Sequence, residues 1–285
     1  MLILNIKLLI WTSFMFIYLV NTTTLAQPEF VSYFCDDAFN YTVNSTYRRN
    51  LDTALSGLPR TNSGFGFFNE YTGEGIDRVN AVVLCHGDVN PDVCRSCLND
   101  SVAKLRSICP KQKTAIGYYD YCILQYSNQT ILQQSKFRFY VYLANPQNAS
   151  DISQFNEALR PLLAGLRQKA ADGDPLLKFA TGNRSDLSDF STINALVQCS
   201  PDLSEFDCNS CLEDSINRIP QFFNGRIGGR ILKPMCNLRY ETYEFFNETT
   251  DIVSSPPVLQ PSPPGTLLII CSVNLLFNGI LIQLL

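Results

Sequence analysis

The sequence predicts an α+β protein of two tandem, disulfide-stapled units, each with two helices packed on an antiparallel sheet. Three observations lead there. A frame of cysteines occurs twice along the 285 residues. Leucines at helical spacing recur at a constant offset of 108. Runs of β-branched and aromatic residues lie around the helices.

The cysteine frame sets the repeat. Cys85 is followed after eight residues by Cys94, after two by Cys97, after eleven by Cys109 and after twelve by Cys122. Cys199 is followed after eight by Cys208, after two by Cys211 and after twenty-four by Cys236. The second copy keeps the frame and has Phe223 where Cys109 would stand. Cys35, far upstream in the first copy, also has no counterpart in the second. The economical inference is a bond between Cys35 and Cys109, since losing one bridge orphans no thiol. The four cysteines common to both copies allow three connectivities. Cys94-x-x-Cys97 and Cys208-x-x-Cys211 fall on predicted helices, where such neighbours point to different partners. A zinc site would suit a reducing compartment, and a redox C-x-x-C needs a βαβ setting that the pattern lacks.

Leu51, Leu55 and Leu58 have helical spacing, matched by Leu159, Leu163 and Leu166, with Gly57 and Gly165 at the same offset. A second helix carries Leu98, Val102 and Leu105. Its repeat carries Leu212, Ile216 and Ile219, with Pro220 expected to stop it. Strand-like runs cover 77–84, 114–126, 137–143, 192–197 and 229–246. The loss of Cys109 predicts that Phe223 points inward, packing where the bridge would lie, and forms no exposed patch with Phe222. It also predicts that the second copy depends on the first more than the reverse.

The chain ends read differently. Lys7, the apolar run from Leu8 to Val20 and Thr24-Leu25-Ala26 predict a cleaved signal peptide over 1–26. Removing it takes the formal charge from −4 to −5. Asn-x-Ser/Thr sequons at Asn40, Asn44, Asn99, Asn128, Asn148, Asn183 and Asn247 are glycan acceptors in a secreted chain. Residues 251–265 read as a proline-rich stalk, and 266–285 as an uncharged tail holding an unpaired Cys271. Three readings of that tail compete: a lipid-anchor signal, a terminal membrane helix, or the by-product of a truncated gene. The units between are expected over 28–136 and 137–248.

A net charge of −4 and a pI near 5.1 argue against a nucleic-acid partner. With one histidine, His86, a catalytic triad or multi-histidine metal site is poorly supported. His86 beside Cys85 reads as a surface residue next to a staple rather than a catalytic base. No enzyme activity, metal or cofactor is expected.

The spacing Cys-x8-Cys-x2-Cys resembles the plant ginkbilobin-homologous domain, also called the salt-stress-response/antifungal domain. The likeness extends to Asp77-Arg78-Val79, Gly87-Asp88-Val89, Cys94-Arg95-Ser96-Cys97-Leu98-Asn99-Asp100, Ala115-Ile116-Gly117-Tyr118-Tyr119 and Gln125-Tyr126-Ser127-Asn128. Gly228-Gly229-Arg230-Ile231-Leu232 and Cys236-Asn237-Leu238-Arg239-Tyr240-Glu241 carry it in the second copy. It covers about residues 28–248. Tandem pairs of this kind are similar to the ectodomains of cysteine-rich receptor-like kinases, to plasmodesmata-located proteins and to cysteine-rich repeat secretory proteins. The resemblance implies the pairs Cys85–Cys94, Cys97–Cys122, Cys199–Cys208 and Cys211–Cys236, beside Cys35–Cys109.

One member of that family is a mannose-binding antifungal lectin. Carried over by position, its sugar contacts fall on Asp36, Ile116 and Ser127 in the first copy, where none is kept. In the second copy they fall on Arg230 and Glu241, with Asn145 as a loose third candidate. An Arg and a carboxylate can hold sugar hydroxyls. They can equally form a structural ion pair across adjacent strands, which is the favoured reading. The leading expectation is a non-catalytic extracellular recognition module in apoplastic or cell-surface defence or stress signalling, with a protein partner or receptor complex. The alternative is a carbohydrate-binding antimicrobial protein acting through the second copy. Contact with a membrane is expected only through the tail.

Overall fold

The computed structural model describes residues 28–61, 65–134, 139–185 and 192–246. The signal peptide, stalk, tail, Asn247 and Cys271 lie outside these residues. The first copy runs β1 (Phe30–Cys35), α1 (Thr46–Gly57), β2 (Phe67–Thr72), β3 (Val79–Cys85), α2 (Pro91–Ile108), β4 (Ala115–Tyr119) and β5 (Cys122–Ser127). The second runs β6 (Val141–Ala144), α3 (Ile152–Asp172), β7 (Phe179–Arg184), β8 (Ile193–Cys199), α4 (Glu205–Phe222), β9 (Gly229–Leu232) and β10 (Cys236–Glu241). The strand orders, β1-β4-β5-β3-β2 and β6-β9-β10-β8-β7, are one topology used twice. Among the described residues all eight strand pairings are antiparallel.

Each helix starts on a side-chain cap. Ser45 accepts from the Arg48 N–H at 3.2 Å and Asn90 from the Val93 N–H at 2.9 Å. Asp151 accepts from the Gln154 N–H and Ser204 from the Asp207 N–H, both at 3.0 Å. These bonds satisfy N–H groups that no helical carbonyl can reach. Leu51, Ala54 and Leu55 of α1 and Leu98 and Leu105 of α2 are buried in the first core, and Leu159, Leu163, Leu212 and Ile219 in the second.

Sequence patterns and strands differ in several places. The run at 114–126 is a hairpin, β4 and β5, turned at Asp120 and Tyr121. The run at 229–246 likewise divides into β9 and β10, because Lys233-Pro234 interrupts the ladder. Asp77 belongs to a short 3-10 turn, and β3 starts at Val79. Strands β1, β2 and β7 were not among the expected runs. Pro220 does not stop α4, which continues to Phe222.

The disulfides are Cys35–Cys109, Cys85–Cys94, Cys97–Cys122, Cys199–Cys208 and Cys211–Cys236. Cys35 lies opposite Ala115 in β4, and Ala144 opposite Gly229 in β9. Ala144 therefore stands where a first cysteine of the second copy would be. Phe223 is 2% exposed and lies in the second core, whereas Phe222 is 41% exposed and stacks on Tyr142 at 4.1 Å.

The two sheets face each other. In β3, Ala81, Val83 and Cys85 join α1 and α2 in the first core, while Val82 and Leu84 turn to the second copy. Ile116, Tyr118 and Ile123 of the first sheet meet Val141 and Leu232 of the second. Phe34 stacks on Phe139 at 4.4 Å. The Gln198 side chain donates to the Cys85 carbonyl at 2.9 Å. The seam is tight at Gly87, where a Cβ would lie 2.5 Å from the Phe179 ring.

Candidate functional site

Of the residues singled out for ligand contact in the second copy, Arg230 lies on β9, Glu241 on β10, and Asn145 directly after β6. Strand alternation decides where they point. In β10, Cys236, Leu238 and Tyr240 enter the helix-side core, so Asn237, Arg239 and Glu241 take the opposite face. All six residues are buried, because β10 is a central strand covered on both sides.

Register places Arg230 opposite Arg239, and Leu143 on the other side of Arg230. Arg230 and Glu241 therefore do not form the cross-strand ion pair read from the sequence. The Arg230 guanidinium instead meets Asp120 in the β4–β5 turn of the first copy. Arg239 approaches the same carboxylate at 3.6 Å and Glu241 at 3.7 Å. It also donates to the Tyr243 hydroxyl at 3.0 Å and lies over the Phe245 ring, 4.2 Å from its centre. Two cations and two carboxylates thus form a neutral cluster, with side chains only 8–20% exposed. Such a cluster is stable only while every member keeps its partner.

Asn145 does reach Glu241, donating to its carboxylate at 3.3 Å. The close approach of Gly228 allows this: a Cβ there would sit 1.8 Å from a Glu241 carboxylate oxygen. So the structure brings Asn145 and Glu241 together and turns Arg230 away to Asp120. In the first copy, Asp36 accepts from the Ala38 N–H at 3.0 Å, Ile116 is buried in the seam, and the Ser127 hydroxyl bonds that of Thr114 at 2.8 Å. Asp120 and Arg239 carry the cluster; Arg239 lies in the Cys236–Glu241 segment that carries the family likeness, whereas Asp120 lies in none of the segments that do.

His86, expected at the surface, is partly buried at the same junction. Its backbone N–H donates to the Tyr121 carbonyl at 2.9 Å, and its ring meets Tyr121 edge-on. Burial pulls its pKa down to about 4, opposed by Asp120 and reinforced by Arg230 and Arg239. The unfolded chain therefore binds the proton more readily than the folded one. Stability should be full above about pH 6.5 and fall as pH drops toward 4. The loss is on the order of 2 kcal/mol, since water reaches part of the ring. Urea unfolding across that range checks it, and His86→Asn should flatten the slope.

Among the described residues, no group of three or more His, Cys, Asp or Glu is placed to hold a metal ion, and no helix is long and apolar enough to cross a membrane. The sequon residues Asn40, Asn44, Asn99, Asn148 and Asn183 are exposed, and Asn128 is partly exposed.

The sequence pattern described as salt stress response/antifungal matches residues 34–129 and 143–243, one match on each sheet-and-helix unit. The chain belongs to the salt stress response/antifungal family. Relatives in this family include cysteine-rich receptor-like protein kinase 25 of Arabidopsis thaliana, 38% identical over 266 residues. That match covers 88% of this chain and 39% of the kinase. Kinase 7 of the same plant is 42% identical over 240 residues, covering 82% of this chain and 36% of its own. The chain thus spans about two fifths of the length of these relatives. The putative kinase 9 is 37% identical, with 94% of its length covered. The tandem DUF26 ectodomain of the Arabidopsis thaliana cysteine-rich receptor-like protein PDLP8 shares the fold, with a TM-score of 0.65 and 22% identity. The match covers 75% of this chain and 97% of that ectodomain. The ectodomain of PDLP5 matches with a TM-score of 0.58, at 22% identity. The salt stress response/antifungal family thus accounts for both units and for their tandem arrangement.

Proposed function

We propose that the protein is a non-catalytic extracellular recognition module, acting in plant apoplastic or cell-surface defence or stress signalling through a protein partner or receptor complex. The observation that carries this reading is the contact of Arg230 with Asp120. It turns the one arginine matched to a sugar contact into a clamp between the copies, so the tandem pair presents its outer surface as one body. Large apolar side chains stand out on that surface. Phe39 is 62% and Ile76 80% exposed; the Phe39 carbonyl accepts from the Lys113 backbone N–H at 2.9 Å and the Ile76 carbonyl from the Lys113 ammonium at 3.2 Å. Exposed apolar anchors on one face of the first copy suit a protein partner.

The carbohydrate reading rests on the Asn145–Glu241 pair alone. The two are separated by measuring binding of the secreted protein to plant cell surfaces and to a mannose-type glycan array. Phe39→Glu with Ile76→Glu should reduce cell-surface binding at least tenfold, the scale set by removing interface anchors, and the array should stay blank. Array binding that disappears in Asn145→Ala would overturn the protein-partner reading in favour of a lectin.

A further inference from the structure

The two copies differ in the groove between their helices. Correspondence follows from the topology: the isolated bridge Asn40–Gln112 repeats as Asn148–Arg226, so Tyr41 corresponds to Ala149. The helical offset of 108 sets Asp52 against Arg160, and the cysteine frame sets Arg106 against Pro220. In the first copy Arg106, on α2, donates to Asp52 on α1 and to the Tyr41 hydroxyl, which closes the groove with a phenol ring and an ion pair. In the second copy all three groups are replaced, and the charge at the Asp52 position is reversed.

A cavity of about 350 Å³ opens there between α3 and α4. Its floor is Leu159, Leu163, Ile216 and Ile219, closed at one side by Pro220. Arg160 stands at its rim, exposed, with no hydrogen bond or ion pair to any described residue. Glu157, also at the rim, is turned to the Ser153 hydroxyl at 3.4 Å. The helices α3 and α4 carry no sequon, whereas α2 carries Asn99; Asn148 precedes α3 as Asn44 precedes α1.

We propose that this groove is a binding site for a small aromatic carboxylate. Such a ligand supplies what Tyr41 and Asp52 supply in the first copy, a ring over the aliphatic floor and a carboxylate, here on Arg160. A volume of about 350 Å³ is at the lower end for ligand pockets and suits a single ring. A guanidinium meets a carboxylate through paired, charge-assisted hydrogen bonds. The site is independent of the seam and of whichever protein the module meets.

The test titrates the secreted, full-length protein with para-hydroxybenzoate and with the neutral para-hydroxybenzamide, by calorimetry. The acid should bind with a dissociation constant of about 1 mM or below, as its size allows, and the amide at least about tenfold more weakly. Arg160→Gln, an exposed change that leaves the core alone, should weaken the acid by a similar factor. Arg160→Asp with Pro220→Arg, which rebuilds the first copy's ion pair, should remove binding and leave the melting temperature unlowered. No binding of the acid at about 10 mM, ten times the expected constant, would overturn the proposal. Equal binding of acid and amide, or binding unchanged in Arg160→Gln, would overturn it as well.

Discussion

Replacing Asp120 with alanine should destabilise the protein by about 3 kcal/mol, more than any single change at an exposed ion pair. Asp120 is the carboxylate that both Arg230 and Arg239 approach, and its side chain is 14% exposed. Without it, two guanidinium groups face each other across the β9–β10 register with only Glu241 nearby. The cost is chiefly that of the uncompensated charges, so a second change should recover part of it. In a double-mutant cycle, Asp120→Ala with Arg230→Met should lose less than the sum of the two single changes. Chemical unfolding measures all four proteins. An Asp120→Ala variant within about 0.5 kcal/mol of the parent, the range of ordinary surface changes, would show that the cluster does not join the copies.

Phe223→Ala should cost about 3–5 kcal/mol, the range for truncating a buried aromatic ring. Phe223 is 2% exposed at the C-cap of α4, and its ring packs on Tyr142 and beneath Gly229, where a Cβ would lie 3.2 Å from it. It occupies the position of Cys109, whose bond to Cys35 spans 74 residues in the first copy. The second copy has no such covalent tie between its edge strand β6 and α4, so the ring holds them by contact alone. Hydrogen exchange should show β6 and the end of α4 opening first in the variant, while β1 and α2 stay protected. Uniform loss of protection in both copies would contradict that division.

The helices and the cysteine frame were legible because their signals are local and periodic. Leucines three and four apart mark one helix face, and cysteine spacing survives in both copies. The bond of Cys35 to Cys109 could be argued from what the second copy lacks. The three strands that escaped, β1, β2 and β7, are all sheet edges. An edge strand is less covered than a central one, so its pattern is mixed: Asn69 and Tyr71 of β2 and Asn183 of β7 are exposed, and most of the other residues of β7 are only partly buried. Central strands β3 and β8, buried along nearly their whole length, gave continuous apolar runs. Pro220 does not end α4, because packing of Ile219 and Phe223 carries the helix past it. The charge cluster was illegible for another reason. Arg230 and Asp120 are 110 residues apart, and only the docking of one copy on the other brings them together.

All five disulfides close within one copy or the other, and the last cysteine of the first copy, Cys122, precedes the first of the second, Cys199. The order of synthesis therefore permits vectorial maturation: the first copy can complete its oxidation before the second leaves the ribosome. During that interval, on the order of ten seconds at ordinary elongation rates, Val82, Leu84, Ile116, Tyr118 and Ile123 have no opposite sheet to cover them. The nascent chain then displays an uncovered apolar strand surface, which is the kind of surface chaperones retain. Release from quality control should thus await arrival of the second copy, and chains stalled or truncated between Cys122 and Cys199 should be held back even with every disulfide of the first copy formed.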